Sequence, residues 1–126
     1  MGITNSGRAE ITNLAGDVDS PTAFTYLELG DDNTAFAATQ TALISAITGN
    51  GLARASATVT QEETTVSNDT LQLTHQWTVT GSETVKEIGI FNASSGGDML
   101  ARKVLSSAKS LSSGDTYTGT YKIIVG

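Results

Sequence analysis

The stretch Thr70–Thr80, TLQLTHQWTVT, constrains the fold more than any other part of the chain. In an extended backbone Leu71, Leu73, His75, Trp77 and Val79 point one way. Gln72, Thr74, Gln76, Thr78 and Thr80 point the other. A period of two over eleven residues does not fit a helix, which repeats every 3.6 residues, and describes a strand with one apolar face. The preceding SNDT is a turn, so this strand and the one before it, within LARASATVTQEETTV (Leu52–Val66), are expected to form a long hairpin. In that earlier segment Ala53, Ala55, Ala57 and Val59 share a face.

Other segments read the same way. TAFTYLELG (Thr22–Gly30) alternates Phe24, Tyr26 and Glu28 against Thr25, Leu27 and Leu29. The closing DTYTGTYKIIVG places Tyr117, Gly119, Tyr121, Ile123 and Val125 on one side. Between them lies ETVKEIGIFNASSGGDMLARKVLS (Glu83–Ser106), two apolar segments joined at SSGG, a second hairpin. Helix is expected in two places only. Asn5–Leu14 puts Ile3, Ile11 and Leu14 on a common face, with Thr4 or Asn5 as cap and Gly16 ending the run. Ala37–Ile47, AATQTALISAI, has Ala42, Leu43, Ala46 and Ile47 at helical spacing and stops at TGNGL. The expected fold is therefore mainly β: a β-sandwich or open barrel of five to six mostly antiparallel strands, with one or two short helices in the N-terminal third. The 126 residues are expected to form a single domain.

Composition bounds the chemistry. With 38% hydrophobic residues the core is thin, and with no cysteine neither disulfides nor thiolate metal sites are available. Self-association is the remaining common way for a small domain to gain stability. The net charge is −6, and the seven basic residues (Arg8, Arg54, Lys86, Arg102, Lys103, Lys109 and Lys122) are spread out, with only Arg102 and Lys103 adjacent. Nucleic-acid binding needs a clustered basic footprint, so no nucleic-acid partner is expected. An acidic chain is also poorly suited to anionic membranes. No apolar run has the length of a signal peptide or a membrane span, so a soluble chain without a membrane partner is expected. MGITNS matches the loose myristoylation pattern and is read as incidental.

No catalytic constellation emerges. The lone His75 sits between Leu73 and Trp77 on the apolar side of its strand, with no acid or nucleophile beside it in sequence. It has no second His or any Cys with which to hold a metal. Asp17 and Asp19, and Asp31 and Asp32, supply oxygens of the kind Ca²⁺ takes, but neither pair fits the twelve-residue calcium loop, and Asp-rich turns are ordinary loop chemistry. QEETT (Gln61–Thr65) reads as a solvated strand tip. No glycine pattern forms a phosphate cradle. The chain is expected to be no enzyme, with no cofactor.

Several segments carry a resemblance in their order along the chain. ITNSGRAEITNLAG (Ile3–Gly16), FTYLELGDDNTAFAATQTAL (Phe24–Leu43) and LARASATV (Leu52–Val59) resemble virion proteins of tailed bacteriophages. VKEIGIFNASSGGDMLARKVLS (Val85–Ser106) is similar to the signature of phage tail-collar fibre domains. A similar run occurs in small phage and archaeal-virus structural proteins, whose last strand SSGDTYTGTYKIIV (Ser112–Val125) also resembles. The chain departs from the pattern at Asp31 and Asp32, where small residues are usual, and at Ser6, where Ala is common. The resemblance implies a virion location and a non-enzymatic structural role, in contact with other virion proteins of capsid or tail.

The apolar residues of the second hairpin point to assembly in their own right. Ile88, Ile90, Phe91, Met99, Leu100, Val104 and Leu105 supply more apolar surface than one sheet face hides. Either the second face is a subunit interface of a homo-oligomer, with these seven residues as its candidates, or the hairpin is central within one sandwich. Lacking stalk, collagen-like repeat or heptads, the chain fits a capsid decoration protein best. The alternatives are a tail collar or fibre subunit, and a receptor- or carbohydrate-binding module in which Trp77 and the three Tyr residues stack on sugar.

Overall fold

A computed structural model describes residues 2–125. Eight strands and one helix follow in the order β1 (Gly2–Ile3), α1 (Asn5–Gly16), β2 (Tyr26–Gly30), β3 (Ala55–Ser56), β4 (Thr58–Glu62), β5 (Thr70–Thr78), β6 (Glu83–Phe91), β7 (Met99–Leu111) and β8 (Thr116–Ile124). They form two antiparallel sheets, one ordered β1-β7-β6-β2-β3 and the other β4-β5-β8. Both expected hairpins are present, β4–β5 and β6–β7. The strands outnumber the five to six expected for two reasons. Gly2–Ile3 adds a short strand beside β7, and the segment from Leu52 divides at Ala57. Ala55–Ser56 pairs with β2 in the larger sheet, whereas Thr58–Glu62 pairs with β5 in the smaller one.

The core lies between the sheets. Leu27, Leu29, Val85, Ile88 and Ile90 from the larger sheet meet Leu73, Trp77, Tyr121 and Ile123 from the smaller one, with Phe24, Ile47 and Leu52 closing the ends. The alternation of Thr70–Thr80 is kept: Leu73, Trp77 and Val79 are buried while Gln76, Thr78 and Thr80 are exposed.

The helix begins where expected. The Thr4 hydroxyl accepts a hydrogen bond from the Gly7 amide at 2.8 Å, capping one of the free N–H groups of the first turn. At the other end Asp17, not Gly16, takes the left-handed closing conformation (φ 52°, ψ 49°). The inward face of α1 is not the apolar one. Gly7 and Glu10 are its buried residues, and a Cβ at Gly7 would lie 2.4 Å from the Leu100 carbonyl oxygen. Only glycine permits that approach. Ile11 and Leu14 are left 39% and 38% exposed, and they border an apolar groove of about 270 Å³ with Phe24, Val59 and Leu71.

No second helix forms. Residues 37–47 run as turns and bends with one bridge, between Ala46 and Gly30. Their amides are claimed from outside. The Glu87 carboxylate accepts from Ile44 N and Ser45 N at 3.1 and 2.9 Å, and Ile47 N donates to the Leu29 carbonyl. Leu43 and Ile47 enter different apolar clusters, so helical spacing did not mean a shared face. Thr39, Thr41 and Ile44 also weaken helix propensity, and tertiary bonds outweigh what remains.

Candidate functional site

The β6–β7 hairpin positions everything of interest, because strand alternation gives it two unlike faces. Pairing sets Ile88 opposite Lys103 and Ile90 opposite Ala101 on the core side, and Gly89 opposite Arg102 on the other. The outer side is roofed by residues 31–47. Arg102 is wholly buried there and donates from Nε to Glu87 Oε1 at 2.7 Å. Its Nη1 donates to the Thr34 carbonyl at 2.8 Å. Glu87 is equally buried, so the ion pair and the two backbone amides of Ile44 and Ser45 together neutralise and satisfy a charge that could not otherwise remain in the interior. Leu43 completes the roof against Phe91 and Met99.

The hairpin's turn is fixed separately. Arg54 grips Glu28 through two nitrogens, at 3.1 and 3.2 Å. Its Nη1 donates to the carbonyls of Ala93 and Gly96. The guanidinium also lies 3.7 Å from the centre of the Phe91 ring. Gly96 and Gly97 have φ of 60° and 71°, the left-handed conformations that the SSGG turn supplies without a Cβ clash.

The core side of the hairpin is different, because it is open along one edge. Among the described residues β7 pairs with β1 only at Ala101 and Arg102, so from Lys103 to Leu111 it has a neighbour, β6, on one side alone. β8 likewise pairs only with β5. Between these two free edges runs a cleft of about 480 Å³. Ile88, Leu105, Tyr117 and Tyr121 form its apolar walls, and Lys103 and Lys122 contribute to its lining. Its floor is Gly119, where a Cβ would press on Trp77 at 3.0 Å and Ile88 at 3.3 Å. A bulge shapes the wall: Val85 pairs with Lys109 but Glu87 with Val104, so β7 advances five residues while β6 advances two. The surplus includes Leu105, which stays half-buried. Burial pushes the Tyr117 and Tyr121 phenols up from their ordinary pKa, so both remain protonated. The Tyr121 hydroxyl is buried without a hydrogen-bond partner among the described residues.

The residues singled out in the sequence scatter around this site. Of the seven candidate interface residues, Ile88, Ile90, Phe91, Met99 and Leu100 are no more than 4% exposed within the chain itself. The surface that the set retains belongs to Val104 and Leu105. The hairpin's second face is covered mainly by the chain's own roof, which the sequence did not disclose because its residues read as a helix. Trp77 is 3% exposed and donates its indole N–H to the Ala53 carbonyl, so it offers no stacking platform. Of the three tyrosines only Tyr117 and Tyr26 are half-buried, and Tyr26 packs beside Leu43, Phe91 and Met99. His75 is half-buried, edge-on to Trp77 at 4.7 Å. The pairs Asp17/Asp19 and Asp31/Asp32 stay in separate loops, and among the described residues no three His, Cys, Asp or Glu side chains gather where a metal could sit. Sequence reasoning missed Lys103 and Lys122, and named Tyr117 only as one of three tyrosines for stacking on sugar; free strand edges leave no mark in the local pattern.

A family model described as podophage GP4 fiber I protein gp80 matches residues 2–123, nearly the whole chain. No curated protein matches it. A phage fibre protein is a virion component with a structural role, in keeping with the location expected from the sequence. The match does not support capsid decoration, the first choice from the sequence, and favours the tail-fibre alternative; nor does it name the tail-collar domain. The chain belongs to the podophage GP4 fiber I protein gp80 family.

Proposed function

We propose that this chain is a non-enzymatic subunit of a podophage tail fibre, held in the particle by contacts with other virion proteins and with copies of itself. The observation that carries the reading is the family match over residues 2–123. The geometry agrees in kind: the buried ion pairs brace a rigid hairpin, and the open feature is an edge cleft suited to a protein partner. The similarity of Val85–Ser106 to tail-collar fibre domains supports a place near the collar. Quantitative mass spectrometry of purified particles, with immunogold labelling, tests this. A copy number following the tail's symmetry, with label at the tail, is expected. Label spread over the shell in simple proportion to the major capsid protein would return the subunit to capsid decoration. Absence from the particle would defeat both.

A further inference from the structure

The smaller sheet has two unpaired edges, β4 and β8, since among the described residues each pairs only with β5. Such edges present unused N–H and C=O groups and invite another strand unless they are blunted. Neither contains proline, and β8 borders the cleft. The cleft lining carries Lys103 and Lys122, both exposed and neither in an ion pair among the described residues. They are two of only seven basic residues against thirteen acidic ones, so a second copy of this chain is on balance an acidic partner.

β4 is the segment of such a copy that fits. Its first four residues, Thr58 to Gln61, are all exposed, and it ends at Glu62, with Glu63 the next residue along. Because β4 and β8 both run antiparallel to β5, they are parallel to each other, and rotation about an axis along the strands would bring one copy's β4 alongside the next copy's β8 without reversing it. The levels agree. Glu62 stands opposite Thr70, which stands opposite Ile124, so a rotated Glu62 arrives two residues from Lys122, about 7 Å along the strand and within a lysine's reach. On the core-facing side β4 carries Val59 and Gln61, at the levels of Tyr121 and Ile123. Val59 is 38% exposed in its own copy, an apolar side chain ready for the cleft, while the Tyr121 hydroxyl lacks a partner among the described residues.

We infer that the cleft between β7 and β8 receives the β4 edge of a second copy, continuing the smaller sheet head-to-tail from one subunit to the next, with Glu62 and Glu63 set against Lys122 and Lys103. This deepens the fibre-subunit reading and rests on it, in needing several copies to meet. Its test uses purified chain rather than particles, so the two can fail separately.

Sedimentation velocity at several concentrations is the experiment, applied to the full chain, to Lys103→Glu/Lys122→Glu and to Glu62→Lys/Glu63→Lys. All four positions lie at the surface or its margin, and circular dichroism melts matching wild type establish that both variants fold. Concentration-dependent association of the wild type is expected, weakened at least about tenfold in each variant by like charges facing each other. An equimolar mixture of the two variants should regain it, because each supplies the charge the other lacks. Val59→Lys, which leaves all four charges in place, should weaken association as well. A wild type that stays monomeric would overturn the inference. So would wild-type association by the Glu62→Lys/Glu63→Lys variant, which an isologous β8–β8 contact predicts, or a mixture no stronger than its parts.

Discussion

Arg102 and Lys103 are neighbours in sequence, the only adjacent basic pair in the chain, and they have opposite environments. Arg102 is fully buried in an ion pair under the roof of residues 31–47. Lys103 is exposed and lines an open cleft. One step along a strand separates them, because successive side chains leave a pleated backbone on opposite faces. The difference teaches that one hairpin can hold two unlike environments. Its outer face holds the chain together, and its core-side edge borders an open cleft.

The sharpest way to break the roofed side is to remove one charge. Arg102→Met leaves the Glu87 carboxylate buried without its cation and should cost about 3–5 kcal/mol in urea denaturation. Adding Glu87→Gln should restore part of that loss, since a neutral amide still reaches the Ile44 or Ser45 backbone without an isolated charge. If Arg102→Met were as stable as wild type, the roof would not depend on the pair.

Gly7→Ala tests the same hairpin from its other support. The new methyl would meet the Leu100 carbonyl oxygen, so α1 must shift away from β7, at about 1–3 kcal/mol of thermal stability. An unchanged melting temperature would show that the helix can move freely.

The β4–β5 tip offers a smaller and pH-dependent effect. Asp69 accepts from the amides of Thr64, Thr65 and Val66 at 2.8, 2.9 and 3.1 Å, and these bonds hold its carboxyl well below the usual carboxylate range. A folded pKa below the unfolded one means the stabilisation is present above the ordinary aspartate value and is lost as pH falls through the folded pKa. Amide exchange at Thr64–Val66, corrected for intrinsic pH dependence, should therefore rise on acidification below about pH 3.9. Asp69→Asn should abolish that change.

The smallest effect belongs to the other half of the comparison. Lys103→Ala should change stability by no more than about 0.5 kcal/mol, since Lys103 makes no ion pair among the described residues. A loss matching that of Arg102→Met would erase the contrast between the two neighbours.

Much of this was legible in the residues. The alternation of Thr70–Thr80, the Thr4 cap, the SSGG turn and both hairpins follow from local preferences that a few neighbouring residues settle. Ile11 and Leu14 were not legible. They form an apolar stripe on α1, yet the helix approaches β7 through Gly7, because close backbone contact outweighed the stripe. Ala37–Ile47 misled for a related reason: its spacing suited a helix, but a carboxylate 43 residues from Ile44 in sequence took the amides such a helix would have used.

By itself, then, the sequence determined that the chain is built of strands, where they turn, and that Arg102 and Lys103 must face opposite ways. It could not determine which of those ways would be covered. Alternation fixes the relation between two faces, whereas cover comes from segments distant in sequence, and the two unpaired edges exist only once the sheets have assembled. Only the tertiary structure decided that Arg102 would be locked inside and that Lys103 would border an open cleft.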